Sequence, residues 1–266
     1  MHPLRFMSKS TVVTILILVT LTAAGCGPAN HASLPDPVRD PLHYKPTVHW
    51  QGEMAGEVTQ DSAILQARLT EDGKVHSGDV EGRLGVAAFA LSTGEGFENA
   101  FRTHWMTASP DGDYIVKTWV TGLEPGSRYH YRLLSGPDAN SVAAGPTGTF
   151  RTLDPEGTSR EIRFVAVTGL NQFAFQATAL KDMAFRERSL GFPALATIVS
   201  HEPDFFVATG DTVYYDSPFF GRAKTPDKMR AKWHKQFATP RFAALFQHVP
   251  GYWMKDDHDY RYDDAD

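Results

Sequence analysis

The spacing of apolar residues changes once along this chain, and that change divides it. Across residues 48–152 the period is two: in "SAILQARL", Ala63, Leu65, Ala67 and Leu69 alternate with Ser62, Ile64, Gln66 and Arg68. The runs "RLGVAAFALS" and "DYIVKTWVTGL" continue the strand character, and the segments "TEDGKVHSGD", "STGEGFEN" and "ASPDGD" between them read as turns. Short strands at this spacing predict a β-sandwich, because each strand can bury only one face and a second sheet must cover it. After the polar linker "DPEGTSRE" at residues 154–161, strand-like runs alternate with helical stretches. That alternation predicts an α/β unit.

The stretch "GLEPGSRYHYRLLSG" sharpens the first half. Leu, Pro-Gly and then Tyr129 are similar to the tyrosine corner of a fibronectin type III or immunoglobulin-like sandwich, with "GTFRTL" as the last strand. Residues 47–153 are therefore expected to form a fibronectin type III-like domain.

In the second half, "IRFVAVTG" and "PDFFVATGD" read as buried strands and "FAFQATALKDMAFRERSL" and "PALATIVSHE" as helical. Thr225 is placed to cap a helix beginning at Pro226, whose apolar face carries Met229, Trp233 and Phe237. Pro240 opens another short helix, and "VPGYWMKDDHD" supplies a third strand-like run. Ligand sites in open α/β sheets gather at the carboxyl ends of strands.

The 266 residues are 42% hydrophobic, enough for a sizeable core, and the formal charge of −5 gives no basic footprint for nucleic acid. With one cysteine, Cys26, the chain can form neither an internal disulfide nor a multi-cysteine zinc site. Arg5 and Lys9 precede an apolar run that leads into "LTAAGC". Residues 1–26 resemble a bacterial lipoprotein signal in which Cys26 becomes lipidated; the alternative is an ordinary signal peptide cut near Ala24. Either reading implies export, and the first implies a membrane held only through the lipid, at the cell envelope. Residues 27–46 read as a flexible tether.

Two strand exits carry chemistry. In "GDTVYYDS", Asp211 follows a glycine that leaves its carboxylate free to turn into the crevice, and one carboxylate can bridge two cations that clamp a phosphoryl group. Tyr214 offers a phenolic oxygen suited to a hard ion. In "KDDHD", Asp257 can hold a second cation, and His258 has the acidity to protonate a leaving oxygen. Singly, each has a plainer reading: strand-Gly-Asp is common, a buried tyrosine is usually core, and an acidic run is usually a solvated loop. His201, His234 and His248 read as surface or helix-end residues.

In order, these features resemble the alkaline phosphatase D family of calcineurin-like metallophosphoesterases, over residues 48–266. The resemblance implies that Asp211 is the bridging ligand, Tyr214 a ligand of ferric iron, Asp257 a ligand of a second metal, usually calcium, and His258 the catalytic histidine. It implies phosphomonoester or phosphodiester substrates, and makes residues 158–266 the N-terminal part of a metallophosphoesterase domain. Two departures stand out. The family commonly places Ser-Cys-Gln after its first phosphoesterase strand, with the cysteine on iron, whereas this chain has "VTGLNQF", leaving Asn171 as the candidate ligand. The family also continues through further strands and histidine motifs, so the chain is expected to be incomplete. The competing reading is a non-catalytic envelope lipoprotein whose sandwich binds a ligand and whose second half is vestigial. An adhesion module is a third, resting on the sandwich alone.

Overall fold

The structure, a computed structural model, describes residues 31–32, 51–182 and 185–260. The expected signal segment with Cys26 and the last six residues of the acidic run lie outside the described residues, as does most of the tether.

The first half contains β1 (His31–Ala32), β2 (Met54–Gly56), β3 (Ser62–Arg68), β4 (Thr70–His76), β5 (Asp79–Gly82), β6 (Gly85–Ser92), β7 (Phe101–Arg102), β8 (Met106–Ala108), β9 (Ile115–Thr121), β10 (Arg128–Gly136), β11 (Ala143–Ala144) and β12 (Gly148–Arg151). One layer is built on β9, β3 and β2; the other is built on β6 and β10, with β12 and β11 on β10 and β7 and β8 on β6. The alternation legible in β3 has its expected consequence: Ala63, Leu65 and Ala67 turn inward against Phe89, Leu91, Tyr131 and Leu133 of the facing layer. Burying the leucines and Phe89 between these layers contributes about 1.5–3 kcal/mol each, and the alanines less.

The tyrosine corner is present. The Tyr129 hydroxyl accepts a hydrogen bond from the backbone N–H of Glu124 at 2.9 Å, and the ring stacks on Phe150 at 5.6 Å. One sequence expectation fails here. "TEDGKVHSGD" is not a plain turn but the β4–β5 hairpin, closed by Ser77 and Gly78, both at positive φ. Charged residues and an internal glycine hide its strand character, and its outer face is exposed.

The second half comprises β13 (Phe164–Val167), α1 (Gln172–Asp182), α2 (Phe185–Ser189), α3 (Pro193–Ser200), β14 (Phe205–Ala208), α4 (Pro226–Phe237), α5 (Pro240–His248), β15 (Gly251–Trp253) and α6 (Asp257–Tyr260). β13, β14 and β15 run parallel. Leu195 and Ile198 of α3 and Phe242, Leu245 and Phe246 of α5 pack with Phe206 into a second core. Helix α4 starts as its sequence predicts: the Thr225 hydroxyl accepts from Lys228 N–H, with Pro226 in the first turn. Its Phe237 packs against Phe242, Phe246 and Trp253.

The two halves share a sheet. β15 pairs in parallel with β2 through Gly251 and Gly56, so one seven-stranded sheet runs in the order β1-β9-β3-β2-β15-β14-β13. A Cβ on Gly56 would lie 2.7 Å from the Gly251 carbonyl oxygen, which is why this crossing needs glycine. Side chains stitch the same seam: the Tyr131 hydroxyl reaches the carbonyls of Glu53 and Phe246, and the Tyr252 hydroxyl donates to the Val58 carbonyl. His234, read from sequence as a surface or helix-end residue, is buried. Its ring nitrogens lie 2.8 Å from Asp79 Oδ1 and 2.7 Å from Asp113 Oδ2, tying α4 to the sandwich. Burial raises the Asp113 pKa, but His234 and Arg68 outweigh it and hold the carboxyl below its ordinary value.

Candidate metal centre

The site forms where β14 and β15 release the chain. Gly210 has φ of 99°, and a Cβ there would fall 2.4 Å from Asp256 Cβ, so the close approach of the two loops requires glycine. Asp211 follows in the left-handed region at φ 55°, a conformation aspartate tolerates better than most residues. Its backbone carbonyl accepts from Leu170 N–H at 2.8 Å, which ties the exit of β13 to the same place.

Ligand-type atoms of Asp211, Asp257 and His258 all lie within 4.8 Å of one another. Three of the residues singled out in the sequence are therefore brought together. The fourth, Tyr214, donates its hydroxyl proton to Asp211 Oδ2 at 3.0 Å and stacks its ring on the His258 imidazole with centroids 4.1 Å apart. The neighbouring tyrosine faces the other way. Tyr215 is buried against Val213, Ala223, Met229 and Trp233, and its hydroxyl accepts from the Trp233 indole N–H.

The electrostatics suit a cation. Asp211 Oδ1 is buried and has no hydrogen-bond partner, a costly arrangement for a carboxylate oxygen unless something positive meets it. Burial raises the Asp211 pKa, and the charges of Asp257 and Asp256 add to that, against the lowering effects of Tyr214 and His258. Burial and Asp211 also raise the pKa of Tyr214, so the phenol keeps its proton. For His258, burial opposes the charged form, but the carboxylates of Asp216 and Asp211 outweigh it and the pKa rises.

Two residues to which the sequence reading gave no role complete the frame. Asp216 Oδ1 lies 3.0 Å from His258 Nδ1, and since a carboxylate only accepts, it holds the proton on Nδ1 and orients the ring. Asp259 is fully buried. Its carboxylate accepts from the backbone N–H groups of Val213 and Asp256, clamping the two loops together. Their acids were visible in "YYDS" and "DDHD", but a pairing across 42 residues leaves no local signal. Asn171 sits at the exit of β13, where its side-chain oxygen accepts from Ala174 N–H at 2.9 Å at the start of α1. In this arrangement Asn171 acts as a helix cap.

Comparison with known proteins bears on the sandwich and on the overall fold. Residues 43–154 match the PhoD-like phosphatase N-terminal domain family. Alkaline phosphatase D of Bacillus subtilis (strain 168) is 26% identical over 168 residues, covering 62% of this chain and 28% of its own length. The solved structure of PhoD shares the fold, with a TM-score of 0.55 at 18% identity over 83% of this chain and 41% of that one. The chain thus spans less than half the length of either relative. Residues 43–154 thus belong to the PhoD-like phosphatase N-terminal domain family, and the chain as a whole is similar in fold to PhoD.

Proposed function

We propose that the chain carries part of the active site of a metal-dependent phosphoric ester hydrolase of the alkaline phosphatase D type. The second half is then the front of an α/β metallophosphoesterase domain. The observation that carries this reading is the convergence of Asp211, Asp257 and His258, with a buried, unpartnered Asp211 oxygen at its centre. Asp211 and Asp257 would hold the cations, with Tyr214 beside them. This oxygen-rich donor set suits hard ions such as ferric iron and calcium, the pair implied by the family resemblance. When bound, such cations supply Lewis-acid stabilisation of phosphoryl oxygens and acidify a water.

The chain's own residues contribute orientation and proton control. Asp211, fixed by the Leu170 N–H on its backbone and the Tyr214 hydroxyl on its side chain, sets where the phosphoryl group can sit. His258 is oriented by Asp216 at Nδ1, and its raised pKa favours the protonated form that can give a proton to the leaving oxygen. With the Cys26 signal, we place this chemistry outside the cytoplasmic membrane, on phosphomonoesters or phosphodiesters. The test is hydrolysis of p-nitrophenyl phosphate and its bis ester, with iron and calcium supplied, against Asp211→Ala. Activity that disappears in the variant supports the reading. Calcium and iron binding that is the same in both proteins, with no hydrolysis by either, favours the non-catalytic alternative.

A further inference from the structure

Beside the metal centre lies a cavity of about 470 Å³ whose wall on that side is Tyr214, the same residue that bonds Asp211. Two lysines from one face of α4, Lys232 and Lys235, line it, and none of the described residues that line it is acidic. The other polar side chains it presents include the uncharged amides of Gln172 and Gln176. In a chain of net charge −5, a cavity that two cations and no acidic residue line among the described residues is a departure that calls for a ligand.

Lys232 is held rather than loose: its ammonium donates to the Ser217 carbonyl at 2.5 Å, in the loop that follows Tyr214. Burial and then the neighbouring Lys235 charge lower its pKa, with only Asp216 pulling the other way. Lys235 makes no ion pair among the described residues. Both charges thus stand to gain from an incoming anion. A phosphate fits this pair best, since it has oxygens enough for two ammonium groups and the flanking amides together.

We propose that Lys232 and Lys235 form a subsite for a second phosphate group, so that the neighbouring centre takes esters that carry another phosphate close to the scissile one. The link to catalysis rests on the phosphoesterase reading; the anion site itself does not. Phe173 on the rim supplies an apolar surface for the carbon linker between the two phosphates.

The experiment is calorimetry on the full chain in two arms. Without metal, inorganic phosphate should bind the unaltered protein, and the Lys232→Gln/Lys235→Gln variant should lose about tenfold in affinity, the size expected for a lost charge-assisted contact. Lys235→Gln alone, at a half-exposed position that holds no structural hydrogen bond, should show part of the loss if the double variant folds poorly. With manganese(II) added, 1,3-propanediol bisphosphate should bind about tenfold more tightly than propyl phosphate, and the double variant should erase that preference while leaving propyl phosphate unchanged. Phosphate binding that ignores both variants overturns the subsite. Lysine-dependent phosphate binding, with no manganese binding that depends on Asp211, upholds the anion site and sinks the phosphoesterase reading.

Discussion

Asp211 occupies a left-handed backbone conformation with one carboxylate oxygen bonded to a phenol and the other buried without a partner. Removing the His258 support is the most informative single change near it. Asp216→Asn should lower the His258 pKa, because the largest influence raising it is the Asp216 charge. Imidazole NMR titration would show this, and an unchanged titration would mean that Asp216 does not control the ring. A second titratable residue lies at the seam between the halves. Glu53 is buried with an unpartnered Oε1, and burial pushes its pKa from 4.5 up to about 8. The folded carboxyl therefore keeps a proton that the unfolded one has released. Its contribution is fully present below the ordinary value and is lost as pH rises towards about 8, at up to about 1.4 kcal/mol per pH unit. Glu53→Gln should flatten that slope in denaturant unfolding measured at about pH 5 and about pH 8; an identical slope in both proteins would contradict the assignment. Asp211, Tyr214, Asp257 and His258 were legible in the sequence because each belongs to a short motif at a strand exit. Glu53 and His234 were not, since their burial comes from partners far along the chain, Tyr131 and Phe246 for one neighbourhood and Asp79 and Asp113 for the other.

Among elements, those with strong local chemistry match their sequence. β3 alternates, α4 has its cap and apolar face, and β10 carries near its start the tyrosine that locks the preceding turn. Tyr129→Phe removes one part-buried hydrogen bond and should cost about 1 kcal/mol, readable as a lower midpoint in urea. Thr225→Ala at the α4 cap should cost a similar amount, about 1 kcal/mol, and leave the cluster at Asp211 intact. The β4–β5 hairpin was missed because most of its outward side chains are polar, with Val75 an exception, and Gly73 interrupts the run, so no period-two pattern survives. Its stability comes from cross-strand pairing and from α4 packed against β5, which a window along the sequence does not register.

Taken as one body, the molecule is organised by the continuous sheet from β1 to β13, which fixes the sandwich against the unit that bears the site. The polar linker between the halves does not hold them apart: Arg160 pairs with both Asp154 and Asp204 and pins it down. This continuity was illegible beforehand, because the β2–β15 contact rests on two glycines whose pairing depends on the whole fold. His234→Ala should therefore weaken both halves together, by about 2 kcal/mol in a single unfolding transition. Two separate transitions would show that the seam does not couple them. The cluster at Asp211 is tested most directly by a calorimetric titration of manganese(II) into the full chain and into Asp211→Ala. Saturable binding with proton release is expected in the first and none in the second. Equal binding by both proteins, or by neither, would contradict a cation site at Asp211.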